Sequence, residues 1–541
     1  MDLVLHGGRF VTLGPAAGVA DAVGIADGRI AYVGDAGGAR VLARAGTRFV
    51  DLQGRTAVPG LIDGHTHITG IGERMLRVQL QGLRSVAAVL AAVRERADQT
   101  PPGEWVLGNG EYDLFAANRL AEGRLPTREE LDAAAPVHPV YLPVGDDAAL
   151  VNSRALEAAG LGDSTVDPPG GTLHRDARGR LTGLLTGRSA YSCVRRRIPP
   201  PTAGQRRHII EDMLGRFAAL GVTSVVDCGL TGQFADDWSA YRHWRATGRP
   251  GPRVTLMVRL DTDGPVASAT RQIDDARKAF GSSDEWLRVG PVKLILDGEI
   301  ETAWMRAPYP GRPGYTGLPY LDVAAFREIV EHASGRGWPV AVHTLGGAAI
   351  DAALAVFEEA GCARAGTLRH SLMHAFFPTA ANLAACRRLG VVLSMQPLLF
   401  HVYGAAMIRA WGRETAARAN PLRDVLAAGA ACGGGTDVIP YDPMLSIWSA
   451  VTRRIRSGDV LGVAQALTPR QALWLHTLGA AALTGEERLK GSLEVGKAAD
   501  ITVLSHDILT GPADEIRHAR ALMTIVGGVV VHDQLGATPA A

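Results

Sequence analysis

Short apolar runs alternate with amphipathic, helix-like stretches through the middle of the chain, which is the pattern of consecutive βα units. The apolar runs fall at residues 57–63, 222–228, 253–260, 290–296, 338–343, 367–374, 391–397 and 430–437. Eight such units are the number that closes a TIM barrel. We therefore predict an α/β fold built on a (β/α)8 barrel.

The two ends of the chain carry a different pattern, in which apolar and polar residues alternate around glycine turns. This pattern fills residues 1–55 and returns at 491–507 and 521–533. Alternation with a period of two predicts antiparallel strands joined by tight turns. We therefore expect residues 1–56 and 489–535 to form one composite β-sandwich from both termini.

The first two barrel strands are too far apart in sequence for a single helix and its loops. The first predicted strand ends at residue 63 and the second begins at residue 222, whereas connections in compact domains are usually short. We expect an insertion subdomain at residues 75–200, at the mouth of the barrel. Residues 57–74 and 201–488 then form the barrel itself.

Charge and composition exclude several classes of protein. A formal net charge of +1 offers nucleic acid no basic surface, and 47% hydrophobic residues exclude intrinsic disorder. There is no signal-peptide pattern and no apolar run of about 18 residues, and the cysteines form no CxxC pair. We expect a cytoplasmic protein with a small-molecule partner, without nucleic acid or membrane, and leave open whether it forms a homodimer.

Metal-ligating side chains stand at or near the ends of several predicted strands. They are His65, His67, Lys293, His343, His374 and Asp437. Because the active sites of TIM barrels lie where the strands end, these side chains would meet at one mouth. Nitrogen and carboxylate donors suit a borderline metal such as zinc. Singly, each could be a core histidine, a surface lysine or a helix-capping aspartate, but their coincidence favours one metal site.

Side-chain alternation along the strands extends this prediction. It places His370 and His374 together in the barrel interior. It also places Gly433 and Gly435 on the face of Asp437, which would leave open space below that carboxylate.

Lysine is rare in this chain, which makes Lys293 informative. The other lysines, Lys278, Lys490 and Lys497, have ordinary surface interpretations, whereas Lys293 lies among Val292, Leu294 and other apolar neighbours. An unpaired buried ammonium group is costly. Lys293 therefore needs a partner or a chemical modification.

Several sequence motifs resemble those of a known protein family. PGLIDGHTH at 59–67 resembles the PG-x-ID-x-HxH signature of the amidohydrolase superfamily. Later segments resemble, in the same order, the branch that includes N-substituted formamide deformylase: VKLILDGEIETA, VAVHTLGGAAI, LRHSLMHA, MQP, GGGTDVIPYDP and GSLEVGKAAD. Gly347 departs from the family's aspartate, and Asp147 stands where the family commonly has a histidine.

The resemblance implies a metal-dependent hydrolase. His65, His67 and Asp437 would hold one metal, and His343 and His374 the second. Lys293 would bridge them as a carbamate formed with CO2. The resemblance favours two zinc ions as the cofactor.

Our leading hypothesis is that a metal-activated hydroxide hydrolyses a non-peptide C–N bond of a small molecule, in an N-acyl, N-formyl or carbamate-type amide. Asp437 would be the catalytic residue, taking the proton of the water and delivering it to the leaving amine. One alternative is a deaminase that acts on an aminated heterocycle with a single metal. Another is an assembly protein that has kept the barrel and lost the metals.

Substrate contacts are harder to predict than metal ligands. The candidates come from the insertion, from the loop after the fourth strand and from the end of the seventh: Glu111, Asp113, Asp297, Trp304, Tyr309 and Gln396. The aromatic residues among them could line a pocket or simply fill a core.

Overall fold

The computed structural model describes residues 1–14, 18–80, 82–109, 120–144, 148–280, 283–361 and 368–536. Two compact units divide the chain. The larger consists of Met1–Thr69 with Arg207–Ala541, and the smaller of Gly70–Arg206.

Within these ranges the strands are β1 (Leu3–Val11), β2 (Val19–Ala26), β3 (Arg29–Gly34), β4 (Arg48–Asp51), β5 (Thr56–Pro59), β6 (Leu61–Thr66), β7 (Val78–Gln79), β8 (Val106–Asn109), β9 (Val140–Val144), β10 (Ala148–Val151), β11 (Thr172–Arg175), β12 (Leu181–Thr186), β13 (Val222–Asp227), β14 (Arg253–Arg259), β15 (Leu287–Ile295), β16 (Val340–Thr344), β17 (Ser371–His374), β18 (Val392–Met395), β19 (Cys432–Gly434), β20 (Ile501–Leu504), β21 (Ala521–Val526) and β22 (Val529–Asp533).

The α-helices of the same ranges are α1 (Ala36–Leu42), α2 (Ile68–Met75), α3 (Val86–Asp98), α4 (Arg128–Ala134), α5 (Ser153–Ala158), α6 (Arg188–Arg195), α7 (Ala203–Ala219), α8 (Phe234–Ala246), α9 (Val266–Ala279), α10 (Val323–Gly335), α11 (Gly347–Glu359), α12 (Ala380–Leu389), α13 (Pro397–Trp411), α14 (Arg413–Arg418), α15 (Leu422–Ala427), α16 (Pro443–Thr452), α17 (Pro469–Leu475) and α18 (Leu478–Leu483). Short 3-10 helices cover Val463–Gln465 and Ala513–His518.

The predicted barrel is confirmed. Its strands are hydrogen-bonded in the order β6, β13, β14, β15, β16, β17, β18, β19, and all their pairings are parallel. Strands β6, β13, β16, β17 and β18 are buried at every position, as expected for strands covered on both faces. The N–H of Asp437 donates to the carbonyl of His65 at 2.8 Å and joins the two ends of the sheet.

The predicted first barrel strand is in fact two strands that belong to two different sheets. Its residues 57–59 belong to β5, and only β6 belongs to the barrel. Strand β5 pairs with β20 in the terminal sheet, which is the sheet built from both ends of the chain. The chain crosses between the two sheets at Gly60, where a Cβ atom would lie 2.2 Å from the hydroxyl oxygen of Thr223. A side chain does not fit at this crossing.

Both ends of the chain contribute to one further sheet of the larger unit. Its order is β22, β21, β20, β5, β1, β2, β3, with β4 on β1. The sheet is mixed, not purely antiparallel as predicted, because β4 and β5 both run parallel to β1. Leu5, Phe10, Val23, Ile501 and Ile525 are buried in its core.

The smaller unit is built on a sheet of its own. Its strand order is β11, β12, β10, β9, β8, β7, and helices α3 to α6 belong to the same segment. Val93, Leu131 and Leu142 are buried in one of its cores. No helix in the described ranges is both long enough and apolar enough to cross a membrane.

The surface interpretation is wrong for Lys490, and it fits Lys497 poorly, because the Lys497 side chain is only 12% exposed. Lys490 is only 4% exposed and forms an ion pair with Glu486 at 3.0 Å. The Lys278 side chain, in contrast, is 77% exposed. No apolar run surrounds Lys490 in the sequence, so its burial could not be predicted.

Candidate metal centre

The side chains predicted as metal ligands come together at the C-terminal ends of the barrel strands. His65, Lys293, His343 and His374 lie in β6, β15, β16 and β17, and all of them are buried. His67 follows β6, and Asp437 follows β19. Donors from separate strands thus meet at one mouth, as expected for an active site of this fold.

Asp437 and Lys293 contact the same two histidines. The Oδ1 atom of Asp437 lies 3.3 Å from Nε2 of His65 and 3.4 Å from Nε2 of His67. The Nζ atom of Lys293 lies 3.4 Å from each of the same two nitrogens. These four side chains form one half of the centre.

His343 and His374 form the other half. Their ring centroids are 4.5 Å apart, and His374 lies 5.1 Å from the ring of His65. Donor atoms of His65, His374 and Asp437 all lie within 4.8 Å of one another. The two halves are therefore contiguous.

The protein environment gives these groups the charge states that metal ligands need. Burial lowers the pKa of His65, His67, His343 and His374, so the rings are neutral at pH 7 and keep a lone pair. Burial opposes ionisation of Asp437, but the surrounding His65, His374 and His67 hold its pKa well below the ordinary value. The site thus offers neutral imidazoles and an anionic carboxylate.

Lys293 is shifted toward its neutral form. Burial is the main cause of its lowered pKa, and the positive charge of Arg259 acts in the same direction. Asp437 and Glu299 oppose the shift. A neutral amine has the free lone pair that carbamate formation requires.

Neighbouring groups fix the orientation of the first two histidines. Nδ1 of His67 lies 2.9 Å from the carbonyl oxygen of Gly229, so the Nδ1–H can donate there and Nε2 keeps its lone pair. Nδ1 of His65 lies 3.2 Å from the amide nitrogen of Gln396. With that amide turned over, Nδ1–H of His65 would donate to Oε1 of Gln396, which has no other partner among the described residues.

Left-handed backbone conformations mark two of the strand ends. His374, Ala375 and Asp437 have φ values of 68°, 42° and 67°. Such values are uncommon outside glycine and cost about 1 kcal/mol or more each. Regular strand alternation therefore ends at His374.

The prediction that His370 shares the barrel interior with His374 is wrong. The His370 ring lies 4.9 Å from Phe357 of α11, and its Nδ1 accepts a hydrogen bond from the N–H of Val340. Alternation would give His370 and His374 the same direction, but His370 precedes β17, which begins at Ser371, and the backbone at His374 is left-handed.

The predicted open space below Asp437 is absent. A Cβ atom on Gly435 would lie 2.4 Å from the backbone nitrogen of His65, and one on Gly433 would lie 2.5 Å from the carbonyl oxygen of Gly479. The glycines are needed because β19 and its neighbours approach closely. They make room for backbone, not for a ligand.

Gly347 also lies against another group. A Cβ atom there would lie 2.4 Å from a guanidinium nitrogen of Arg306. That guanidinium binds both carboxylate oxygens of Asp351, at 2.7 and 2.8 Å. Arg306 thus occupies the space next to the position where the family pattern has its aspartate.

The predicted substrate residues have different environments. Asp297 is fully buried and accepts hydrogen bonds from the N–H groups of Trp304, Leu345 and Gly346 at 2.8 to 2.9 Å. It therefore ties the loop after β15 to the loop after β16. Its Oδ1 also lies 3.9 Å from Nε2 of His343.

Tyr309 lies in the apolar cluster with Phe376 and Trp411, and its hydroxyl contacts the carbonyl oxygens of Ile300 and Ala303 at 2.9 Å. These contacts favour packing over a pocket, and the substrate role remains a prediction. Trp304 is partly exposed. Glu111, Asp113 and Asp147 lie outside the described residues.

Three residues close to the centre were missed. Asp63 accepts hydrogen bonds from the hydroxyl and the N–H of Thr436 and from the N–H of His65, and so links β6 to the segment after β19. Sγ of Cys228 and the ring nitrogens of His65 and His67 lie within 4.8 Å of one another. Arg259 ends β14. Cys228 and Arg259 could have been found by the strand-end rule that identified the histidines.

Cys228 belongs to the apolar layer of the barrel interior. It packs with Val226, Met257, Ala341 and Met373. Burial raises the pKa of its thiol to about 12, so the thiol is protonated at pH 7. The layer forms an apolar floor beneath the polar centre.

The residues present fit a divalent metal. Nδ1 of His374 is buried and has no hydrogen-bond partner among the described residues, and such a nitrogen is rarely left without a partner. Neutral imidazoles with an anionic carboxylate form a donor set that zinc and similar ions prefer.

The barrel and its strand-end donors define a metal-dependent hydrolase of the TIM-barrel class. The chain belongs to the amidohydrolase family, whose model matches residues 48–532. It is accordingly a metal-dependent hydrolase that acts on carbon–nitrogen bonds.

Relatives match along nearly the full length. The YtcJ protein of Bacillus subtilis (strain 168) is 28% identical, over 99% of this chain and 100% of its own. N-substituted formamide deformylase of Arthrobacter pascens is 27% identical, over 99% of each chain. The crystal structure of a metal-dependent hydrolase from Pyrococcus furiosus is similar with a TM-score of 0.76 at 26% identity, and covers 94% of this chain and 100% of its own.

Proposed function

We propose that this protein hydrolyses a non-peptide C–N bond of a small molecule, in an N-acyl, N-formyl or carbamate-type amide. The observation that carries the proposal is the convergence of donor side chains at one barrel mouth: His65, His67, Lys293, His343, His374 and Asp437. The name of the Arthrobacter relative describes a deformylase of substituted formamides, a reaction of this class.

We infer that the centre binds two divalent ions, with zinc preferred. His65, His67 and Asp437 would hold one ion, and His343 and His374 the other. Lys293 would join the two halves as a carbamate. In that reaction the neutral amine adds to CO2, a nitrogen–carbon bond forms, and one proton is released to solvent. The lowered pKa of Lys293 supports this reaction.

When bound, such ions lower the pKa of a water molecule and polarise the carbonyl oxygen of the substrate. Asp437 takes the proton of the attacking water at its carboxylate and passes it to the nitrogen of the leaving amine. Its depressed pKa keeps the carboxylate ionised at neutral pH. The contacts of Gly229 and Gln396 keep the rings of His67 and His65 in a fixed orientation.

The test is a substrate panel combined with metal analysis. The purified protein is loaded with zinc and offered N-formyl, N-acyl and carbamate compounds, together with aminated heterocycles. We expect amine release from the first group and two metals per chain. Ammonia release from heterocycles alone, with one metal, would instead establish the deaminase alternative. A protein that binds no metal would support the assembly hypothesis.

Asp437→Asn tests the proton-transfer role. We expect it to lower kcat by at least about 100-fold, because a neutral amide cannot accept the proton of the water. His208→Asn, on the exposed face of α7, is the matched control and should keep full activity. Full kcat and normal metal content in Asp437→Asn would refute the assignment.

A further inference from the structure

Arg259 stands beside the proposed metal centre at the end of β14. Its partner in the register of β14 and β15 is Lys293. Register partners on neighbouring parallel strands direct their side chains to the same side of the sheet. Since Lys293 contacts His65 and His67, Arg259 also points toward the centre.

Arg259 borders a cavity of about 510 Å³ at the ends of β14 and β15. Thr231, Thr262, Ile295 and Tyr320 are among the other lining residues. The Nε atom of Arg259 is buried and has no hydrogen-bond partner among the described residues. An unsatisfied guanidinium N–H at the wall of a cavity is costly unless a ligand accepts from it.

The acidic residues of the same cavity lie farther along the chain. Asp261 and Asp263 follow the end of β14 and are exposed. Oδ1 of Asp261 accepts a hydrogen bond from the N–H of Asp263 at 3.0 Å. Arg259 thus provides a positive charge next to Lys293. Asp261 and Asp263 lie at the solvent-exposed side of the cavity.

We propose that Arg259 binds a carboxylate of the substrate, so that the protein prefers amides with a carboxylate near the scissile bond, such as N-acyl or N-formyl amino acids, over neutral amides. This inference rests on the proposed function. A guanidinium group pairs well with a carboxylate because its planar fork can donate two parallel hydrogen bonds. The cavity that Arg259 borders has room for the part of the substrate that carries the carboxylate.

The test compares matched substrate pairs. N-formyl and N-acetyl amino acids are compared with the corresponding amino acid amides, in which only the carboxylate has been neutralised. We expect Arg259→Gln to raise KM for the acids by about 10- to 100-fold and to leave the neutral amides unchanged. Arg259→Lys should recover part of the loss, and Arg242→Gln, exposed on α8, is the control.

Two further readouts separate this role from others. Equilibrium binding of the acids to the metal-free protein should weaken in Arg259→Gln, while metal content of the loaded variant stays normal. Equal losses for acids and amides, or a loss of metal, would show that Arg259 supports the centre and would overturn the proposal. Activity on neutral amides that matches that on acids would also overturn it. A wild-type protein inactive on every amide would instead refute the proposed function.

Discussion

Substitution of a single residue, Lys293, is the most direct test of the metal centre. Lys293→Ala should lose metal and lower kcat/KM by at least about 100-fold, because the site loses the group proposed to join its two halves. Added short carboxylates should restore part of the activity by taking the place of the carbamate. Elemental analysis and steady-state kinetics measure both effects.

Lys278→Ala is the control for this experiment, because the Lys278 side chain is 77% exposed and pairs with Asp275 on its own helix. It should keep the metals and the rate. Normal metal content together with full activity in Lys293→Ala would contradict the carbamate.

The metal ligands were predictable one residue at a time, because a donor side chain at a strand end is a local signal. Arg259 ends a strand as well, but arginine is common in this chain, and only the fold shows that its buried Nε–H has no acceptor among the described residues. The burial of Lys490 depends on Glu486 and Arg288, which the sequence gives no reason to bring together.

Asp63 joins the first strand of the barrel to the segment that follows the last one. Asp63→Ala would leave the N–H groups of Thr436 and His65 buried without an acceptor. We expect a loss of about 3 kcal/mol in the free energy of unfolding, measured by denaturant titration of the metal-free protein. Thr436→Val removes only the hydroxyl contact and should cost less. Equal stability of Asp63→Ala and wild type would show that the barrel closes without this carboxylate.

The barrel strands themselves were all predicted, because buried parallel strands are continuous apolar runs. The boundary between β5 and β6 was not, since AVPGLID is one uninterrupted run and nothing in it shows that its two halves pair with different sheets. The role of Gly435 was also missed, because only the fold reveals how closely His65 approaches.

A buried ion pair connects the barrel to the terminal sheet. Arg253 begins β14, and its guanidinium donates to both oxygens of Asp500, just before β20, at 2.9 and 3.2 Å. Asp500→Ala should cost about 3 kcal/mol, because the buried guanidinium of Arg253 loses its two hydrogen bonds to a carboxylate and keeps only the looser contact with the Glu285 carboxylate at 3.8 Å. The double variant Arg253→Met with Asp500→Leu should recover much of this loss in the same denaturant titration. If the single and double variants were equally unstable, the lost pairing of the Arg253 charge with Asp500 would not be the cause.

Glu486 makes the stability of the whole molecule depend on pH. Its side chain is 3% exposed and lies 2.8 Å from Arg288 at the start of β15 and 3.0 Å from Lys490. Burial opposes its ionisation, but the charges of Lys490 and Arg288 prevail and lower its pKa to about 2. Because the folded pKa lies below the unfolded value of about 4.3, the stabilisation is complete above that value and is lost as the pH falls toward 2.

Glu486→Gln should therefore lower the free energy of unfolding by about 3 kcal/mol at pH 7. The difference from wild type should shrink as the pH falls from about 4.3 toward 2. Denaturant titrations of the metal-free protein measure this without a contribution from metal release. Glu358→Gln, in an exposed pair with Arg388, should change little at any pH. A difference that stays constant across the acid range would mean that Glu486 stabilises the fold by packing and not by its charge.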